Sequence, residues 1–273
     1  MSSNRNINWK DIGTRVFNAH RTLHSRGTNM SEEQRLKGIY QFFVSLLDEV
    51  WKDNQPAIMK YISDREMTDE QLQVVQNEMV KEITQMLGII PKPGSSFTAG
   101  TNLIGESDLD FNIPVPNMDQ RTLLILAAKC GNYGYKFEDI RNEDSPGVNY
   151  VFSKWVENQD LKNVGMGKVE IEVKLNHADH YMKVMDKVHE YLDHRMPREH
   201  KYTIAWIKSN FKKLSKLPKN VTVKNKLSNH SPNGSAKRRN AEEYGKHYKT
   251  FKSLYYEHAL FPMGLKKMMY PLV

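Results

Sequence analysis

Two aspartates carry the clearest chemical potential in this sequence. Asp108 and Asp110 stand two residues apart in SDLDFNIPV, where Leu109, Phe111 and Ile113 alternate with them. Successive side chains of a β-strand point to opposite faces, so both carboxylates are expected on one side of a strand. Two carboxylates placed in this way repel each other unless a cation lies between them. The pattern therefore predicts a site for Mg²⁺ or Mn²⁺, which prefer oxygen ligands.

A third carboxylate is available on another predicted strand. KVEIEVKL, residues 168–175, places Glu170 and Glu172 on one face and Ile171 and Val173 on the other. Alternation alone does not separate the two glutamates, because both point to the same side. Two metal ions held by such carboxylates can stabilise the attacking and leaving oxygens of an in-line phosphoryl displacement.

A phosphate-binding turn is predicted upstream of the aspartates. Gly94, Ser95 and Ser96 follow two prolines in IIPKPGSS. Glycine lets the backbone approach a phosphate closely, and the serine hydroxyls add hydrogen-bond donors. A turn of this kind is common by itself, but its combination with a downstream Asp-x-Asp strand favours nucleotide binding.

The combined segment, GSSFTAGTNLIGESDLDFNIPV, resembles the signature of the DNA polymerase β-type nucleotidyltransferase superfamily. That signature consists of Gly-Ser, a spacer, and Asp-x-Asp on a strand. Gly100-Thr101 and Ser107 are similar to the template-independent branch, which includes poly(A) polymerases, terminal uridylyltransferases, CCA-adding enzymes and oligoadenylate synthetases. The resemblance implies an enzyme that transfers a nucleoside monophosphate from an NTP.

The resemblance also implies roles for individual residues. IEVKL, residues 171–175, is similar to the family's third-carboxylate strand and points to Glu172. IAWIKSNFKK resembles the helix that places a lysine on the triphosphate, which points to Lys208, with Lys212 one turn later. The implied catalytic residues and metal ligands are Asp108, Asp110 and Glu172, and the implied nucleotide-binding residues are Gly94, Ser95, Ser96, Lys208 and Lys212.

The elements that must position these residues predict an α+β fold. Apolar residues at helical spacing predict helices across residues 9–90, with capping-box starts at Ser31 and Thr68. IIPKPGSS is expected to be a turn. Strands are expected at 107–115, 135–141, 148–156 and 168–175, and Asp119 is expected to cap the helix between the first two.

The C-terminal third is expected to be helical and basic. Helices are predicted at about 177–196 and after Pro197, followed by a mobile basic loop at 215–239 and a helix at about 241–260. We therefore expect a small mixed sheet flanked by helical regions. The predicted regions are a helical N-terminal region at 1–88, a catalytic core at 89–176 and a basic helical region at 177–273.

Charge and composition narrow the partners. The formal net charge is +8, but residues 195–273 hold 18 Lys and Arg against 4 Asp and Glu, whereas the first 194 residues are net acidic. Basic residues interleaved with aromatic residues favour nucleic acid over a membrane surface. The sequence shows no signal peptide and no membrane span, and Cys130 is the only cysteine. These features predict a cytoplasmic protein.

Template-independent addition of a nucleotide to an RNA 3′ end is the function that these features favour. Three alternatives stay open. The chain could transfer a nucleotide to a small molecule, make an oligonucleotide or cyclic messenger, or be a degenerate nucleotidyltransferase that serves as an RNA-binding subunit. The small-molecule reading is disfavoured for cationic acceptors, because the C-terminal third is itself basic.

Overall fold

The fold is seen in a computed structural model that describes residues 7–25, 29–103, 108–116, 118–141, 149–163, 166–176, 186–216 and 232–265, without the side chains at 67, 95, 96, 141 and 232–238. The helices are α1 (Trp9–Leu23), α2 (Glu32–Leu87), α3 (Ser95–Thr98), α4 (Gln120–Asn132), α5 (Gln159–Asn163), α6 (Arg198–Ser215) and α7 (Pro232–Glu257). The strands are β1 (Lys92–Gly94), β2 (Leu109–Pro114), β3 (Lys136–Arg141), β4 (Asn149–Val156) and β5 (Val169–Asn176). Residues 186–190 are helical and run into a π-helical turn at Tyr191–Arg195, and a 3₁₀ turn at His258–Leu260 follows α7.

The five strands form one mixed sheet, in the order β1-β2-β5-β4-β3. β2 and β5 are parallel, and the other neighbouring pairs are antiparallel. This arrangement confirms the predicted α+β class with a small mixed sheet and all four predicted strands. β1 lies where only a turn was predicted. Its three residues include Pro93, which an edge strand tolerates because one side of that strand needs no backbone donor.

The apolar faces of the strands meet helices in one core. Phe111 and Ile113 of β2 and Ile171 and Val173 of β5 are fully buried there. Their burial fixes the register of both strands, because a shift by one residue would turn the apolar side chains to the other face. The same shift would carry the carboxylates into the core, so hydrophobic burial sets the position of the acidic residues.

Long helices precede the sheet. The predicted capping box at the start of α2 is confirmed: the Ser31 amide donates to Gln34 Oε1 at 2.8 Å, and the Gln34 amide donates to Ser31 Oγ at 3.2 Å. The second predicted start, at Thr68, is wrong, because α2 continues without interruption to Leu87 and Thr68 is buried inside it. A start signal acts only where the preceding backbone is not already helical.

The predicted basic loop at 215–239 is wrong at both ends, because Ser215 belongs to α6 and residues 232–239 are helical. α7 begins at Pro232, nine residues before the predicted start of the last helix at Ala241. Proline is favoured in the first turn of a helix, where its missing amide hydrogen leaves no bond unmade. Residues 217–231, and residues 177–185 of the predicted helix at 177–196, lie outside the described residues.

The chain divides into two compact units. The helical unit comprises residues 1–50 and 206–273, and the sheet unit comprises residues 51–205. The three predicted regions are therefore distributed over two units, and residues 51–88 of the predicted N-terminal region belong to the sheet unit. Within the described ranges, no helix combines the length and apolar character needed to cross a membrane.

Candidate functional site

The acidic residues meet on two parallel strands in the middle of the sheet. Asp110 of β2 is the register partner of Glu172 of β5, and Asp108 lies just before β2 begins. Carboxylate oxygens of Asp108, Asp110 and Glu172 all lie within 4.8 Å of one another. We call these three residues the acidic triad. Glu172 is more than 60 residues away from the two aspartates in sequence, and the pairing of β2 with β5 brings it to them.

The structure separates the two candidate glutamates. Glu172 lies opposite Asp110, whereas Glu170 lies two residues earlier on β5, where its register partner is Trp155 of β4. The pKa of Glu170 is raised by burial, against a hydrogen bond with Ser153. Glu172 is therefore the glutamate whose carboxylate groups with both aspartates, and its role with them stays a prediction.

Burial disfavours the negatively charged form of the carboxylates in the triad. Asp110 and Glu172 are only 6% and 7% exposed, and Asp108 is half-buried. The pKa of Asp108 is raised, first by burial and then by the negative charge of Asp110. Carboxylates that share a poorly solvated site disfavour one another's ionisation. A cation bound between them would reduce this repulsion and stabilise their charged forms.

One cation of the chain itself is already present. Lys174, two residues after Glu172 on the same face of β5, donates to Asp110 Oδ1 and lies 3.1 Å from Glu172 Oε2. Burial works to lower the pKa of Lys174, but the charges of Asp110 and Glu172 outweigh it, and the pKa is raised. Lys174 is therefore a charged ammonium inside the triad. The sequence reasoning assigned it no role, although strand alternation already placed it on the face of Glu172.

The Gly-Ser turn is brought beside the triad. Gly94 ends β1 as the register partner of Asp110, and Ser95 begins α3 directly after it. A Cβ at position 94 would lie 2.5 Å from Asn112 Nδ2, so a side chain there would displace Asn112. Asn112 Oδ1 in turn accepts from Asn176 Nδ2 at 3.1 Å. A side chain at position 94 would have to shift the Asn112 amide, and the close approach of the Gly94 backbone to a phosphate stays a prediction.

Buried polar contacts hold the segment between the Gly-Ser turn and the aspartates. Asn102 is fully buried and donates through Nδ2 to Asp69 Oδ1 at 2.9 Å. Asp69 also pairs with Arg65 at 2.8 Å, one helical turn earlier on α2. Burial is the largest influence on Asp69 and raises its pKa, although Arg65 and Asn102 oppose this. α2 therefore anchors the chain at Asn102, after α3.

Two predicted nucleotide-binding residues belong to the helical unit. Lys208 of α6 is 3% exposed, and its ammonium lies 5.7 Å from the centre of the Tyr255 ring. Lys212 lies 5.2 Å from the centre of the Tyr248 ring. Both lysines contact aromatic faces within their own unit, and their roles toward a nucleotide stay predictions. The side chains of Ser95 and Ser96 lie outside the described residues.

His189 is a second residue that the sequence reasoning did not single out. Its Cε1 would lie 3.7 Å from a Cβ built on Gly94, so the imidazole borders the Gly-Ser turn. Burial lowers the pKa of His189, against the charges of Asp193, Asp186 and Asp110. Its position beside Gly94 is visible only in the folded chain, because no sequence motif connects residue 189 with residue 94.

The donor set of the triad fits a divalent ion. Three carboxylates offer only oxygen ligands, the type that Mg²⁺ and Mn²⁺ prefer. Their three negative charges exceed the single positive charge of Lys174, so the cluster keeps a negative surplus. Such a surplus next to a glycine turn can bind a cation together with the phosphates of a ligand.

No family model, curated protein or solved structure matches this chain. The similarity of residues 94–115 to the polymerase β-type signature is therefore a similarity of motif. Function has to be inferred from the geometry of the chain's own residues.

Proposed function

We propose that this chain is a nucleotidyltransferase of the polymerase β type that adds a nucleoside monophosphate from an NTP to an RNA 3′ end in the cytoplasm, without a template. One observation carries this proposal. Gly94, Asp110 and Glu172 are register partners across three adjacent strands, and Asp108 completes the acidic triad. Motif and geometry therefore agree at the same four residues.

The proposed reaction is the attack of a 3′ hydroxyl on the α-phosphate of the NTP, with pyrophosphate as the leaving group. Asp108, Asp110 and Glu172 would hold Mg²⁺ or Mn²⁺, which, when bound, neutralises charge on the phosphates. Asp108, the most exposed of the three, can accept the proton of the attacking hydroxyl. The Gly94-Ser95-Ser96 turn would bind the triphosphate through backbone amides and hydroxyls. Catalysis of this kind rests on positioning and on charge stabilisation.

Lys208 and Lys212 are proposed to hold the triphosphate, and the basic segment around residues 215–239 to hold RNA. The two roles separate in a binding experiment. Neutralising Lys237, Arg238 and Arg239 together should weaken RNA binding and flatten its salt dependence, by roughly 0.7 in slope for each lost contact with a single strand. Lys208→Ala should instead raise the KM for NTP and leave RNA affinity nearly unchanged. Full RNA affinity of the triple variant at every salt concentration would shift the proposal toward a small-molecule acceptor.

The direct test is incubation of the purified chain with each α-³²P-labelled NTP, Mg²⁺ or Mn²⁺, and RNAs that carry a free or a blocked 3′ hydroxyl. We expect label to enter the RNA only when the 3′ hydroxyl is free, and Asp108→Asn to prevent it. RNA binding with no nucleotide transfer under any of these conditions would contradict the proposal and favour an RNA-binding subunit.

A further inference from the structure

The position of Lys174 bears on how many metal ions the triad takes. Asp108 lies just before β2, whose polar face continues with Asp110 and Asn112, and the same face of β5 presents Glu170, Glu172 and Lys174 in order. Lys174 is the register partner of Asn112, so it lies one step beyond the Asp110–Glu172 pair. Its ammonium therefore enters the carboxylate cluster from the Asn112 end and leaves the Asp108 end to other cations.

The contacts of Lys174 are those expected of a cation that bridges two ligands. Its Nζ meets Asp110 Oδ1 and lies 3.1 Å from Glu172 Oε2, and its side chain is only 19% exposed. Asp110 and Glu172 side chains are 7% and 10% exposed. An ion pair of a lysine at a protein surface usually contributes little to stability, because water screens it. Lys174 instead joins two buried carboxylates, and charges interact more strongly where water is excluded.

Charge balance follows from this arrangement. Within the triad, three carboxylates and one ammonium leave a surplus of two negative charges, which one divalent cation cancels; Glu170, which is outside the triad, is hydrogen-bonded to Ser153. Without Lys174 the surplus would be three, and a second divalent ion would be favoured, as in sites where two metals lie about 3.5–4 Å apart.

We propose that Lys174 takes the place of one of two metal ions, so that the triad binds a single divalent cation toward Asp108. This inference rests on the proposed metal site of the transferase but adds a separate claim about its occupancy. Lys174 is then a positioning residue that keeps Asp110 and Glu172 together before the metal arrives.

The test is Mn²⁺ binding in the absence of nucleotide, followed by electron paramagnetic resonance on the full chain. Wild type should bind one Mn²⁺ that Asp110→Asn removes, with the spectrum of an isolated ion. Lys174→Met should bind two, with spin coupling between them, and should bind the first at least about tenfold more tightly, because a nearby positive charge is gone. Lys154→Met is the matched control, since Lys154 is a sheet lysine of similar exposure that pairs with Glu82 instead.

Separate outcomes tell the two claims apart. Two coupled Mn²⁺ ions in wild type, or unchanged stoichiometry and affinity in a folded Lys174→Met variant, would overturn the role of Lys174 and leave the metal site in place. No Mn²⁺ that depends on Asp110 in wild type would overturn the metal site itself. If Lys174→Met does not fold, the wild-type count decides, together with a Lys174→Met/Glu172→Gln variant, which removes one charge of each sign and should again bind one ion.

Discussion

Among the residues that the structure describes, two clusters gather three metal-ligand side chains, and they differ in charge. The acidic triad lies in the sheet unit. In the helical unit, His20, His24 and Glu257 also have ligand atoms within 4.8 Å of one another. Each cluster contains a basic side chain, which is Lys174 in the first and Arg35 in the second. Both clusters therefore bring ligand atoms close together, and they differ in how far neighbouring positive charges neutralise the carboxylates.

The helical cluster is balanced by its own residues. Arg35 lies 2.9 Å from Glu257 and 2.6 Å from Glu32. His24 contacts the His20 carbonyl through Nδ1 and Glu257 Oε2 through Nε2, both at 2.9 Å. Arg35 Nη1, which can only donate, also lies 3.0 Å from His24 Nε2. The pKa of His24 is raised, led by the hydrogen bond with Glu257. When His24 is protonated, Arg35 and His24 face Glu32 and Glu257, and this network then has no negative surplus for a metal. The comparison teaches that surplus charge, more than ligand spacing, distinguishes a metal site from an ion-pair network.

The largest expected difference between the two clusters is in nucleotide transfer, for which only the triad should be required. Asp108→Asn or Asp110→Asn should reduce nucleotide transfer by roughly a thousandfold, the upper range for loss of one electrostatic stabiliser, while the fold persists. Glu257→Gln in the helical cluster is the control and should keep the wild-type rate per folded molecule. Wild-type turnover in either aspartate variant, measured with labelled NTP, would remove the triad from the mechanism.

The helical cluster should act on stability, with a pH dependence of predictable sign. Burial alone would raise the pKa of Glu257, but the hydrogen bond and charge of His24 and the bonds from Ser253 and Arg35 lower it from 4.5 to about 2. A lowered carboxylate pKa stabilises the fold above the ordinary value, and this contribution is lost as the pH falls from about 4.5 toward 2; the shift corresponds to about 3 kcal/mol. The raised pKa of His24 adds stability below about 6.5, which is lost as the pH rises through its folded value.

Chemical denaturation across pH measures this effect. Wild type should exceed Glu257→Gln in free energy of unfolding most clearly near pH 5 to 6, where both charges are present, by about 3 kcal/mol. The gap should narrow toward acid as Glu257 protonates and also narrow at higher pH as His24 loses its proton. A gap that is the same at every pH would show that Glu257 contributes through packing and not through charge.

Packing gives a smaller test of the same two regions. A Cβ at Gly13 of α1 would lie 2.0 Å from His247 Nδ1, whereas nothing lies within 4 Å of a Cβ at Gly131 of α4. Gly13→Ala should therefore lower the free energy of unfolding by about 1–3 kcal/mol through overpacking. Gly131→Ala should raise it by about 0.5–1 kcal/mol, because alanine loses less backbone entropy in a helix. Equal effects of the two substitutions on the unfolding midpoint would contradict the tight contact around His247.

The part of the site that follows from alternation and motif was predictable from the sequence. Period-two patterns located β2 and β5, and the GSS turn and Asp108-x-Asp110 located two sides of the site. Alternation left Glu170 and Glu172 open, and only the IEVKL resemblance favoured Glu172. Strand register decides between them, and it depends on pairing between segments 62 residues apart.

Other features escaped because local signals were incomplete. β1 is three residues long and carries a proline, so no period could reveal it. Thr68 has the residues of a helix start, but the chain before it is already helical. The sequence predicted no role for Lys174, because its partner Asp110 lies on another strand. Long-range pairing, which no local pattern encodes, accounts for that miss.

The most direct test is to locate Mn²⁺ by anomalous diffraction in crystals grown with a non-hydrolysable NTP. We expect Mn²⁺ at about 2.0–2.2 Å from carboxylate oxygens of Asp108, Asp110 and Glu172, with the triphosphate beside it and next to Gly94. Mn²⁺ at His20, His24 and Glu257 with none at the triad, or a nucleotide bound away from the triad, would contradict the account.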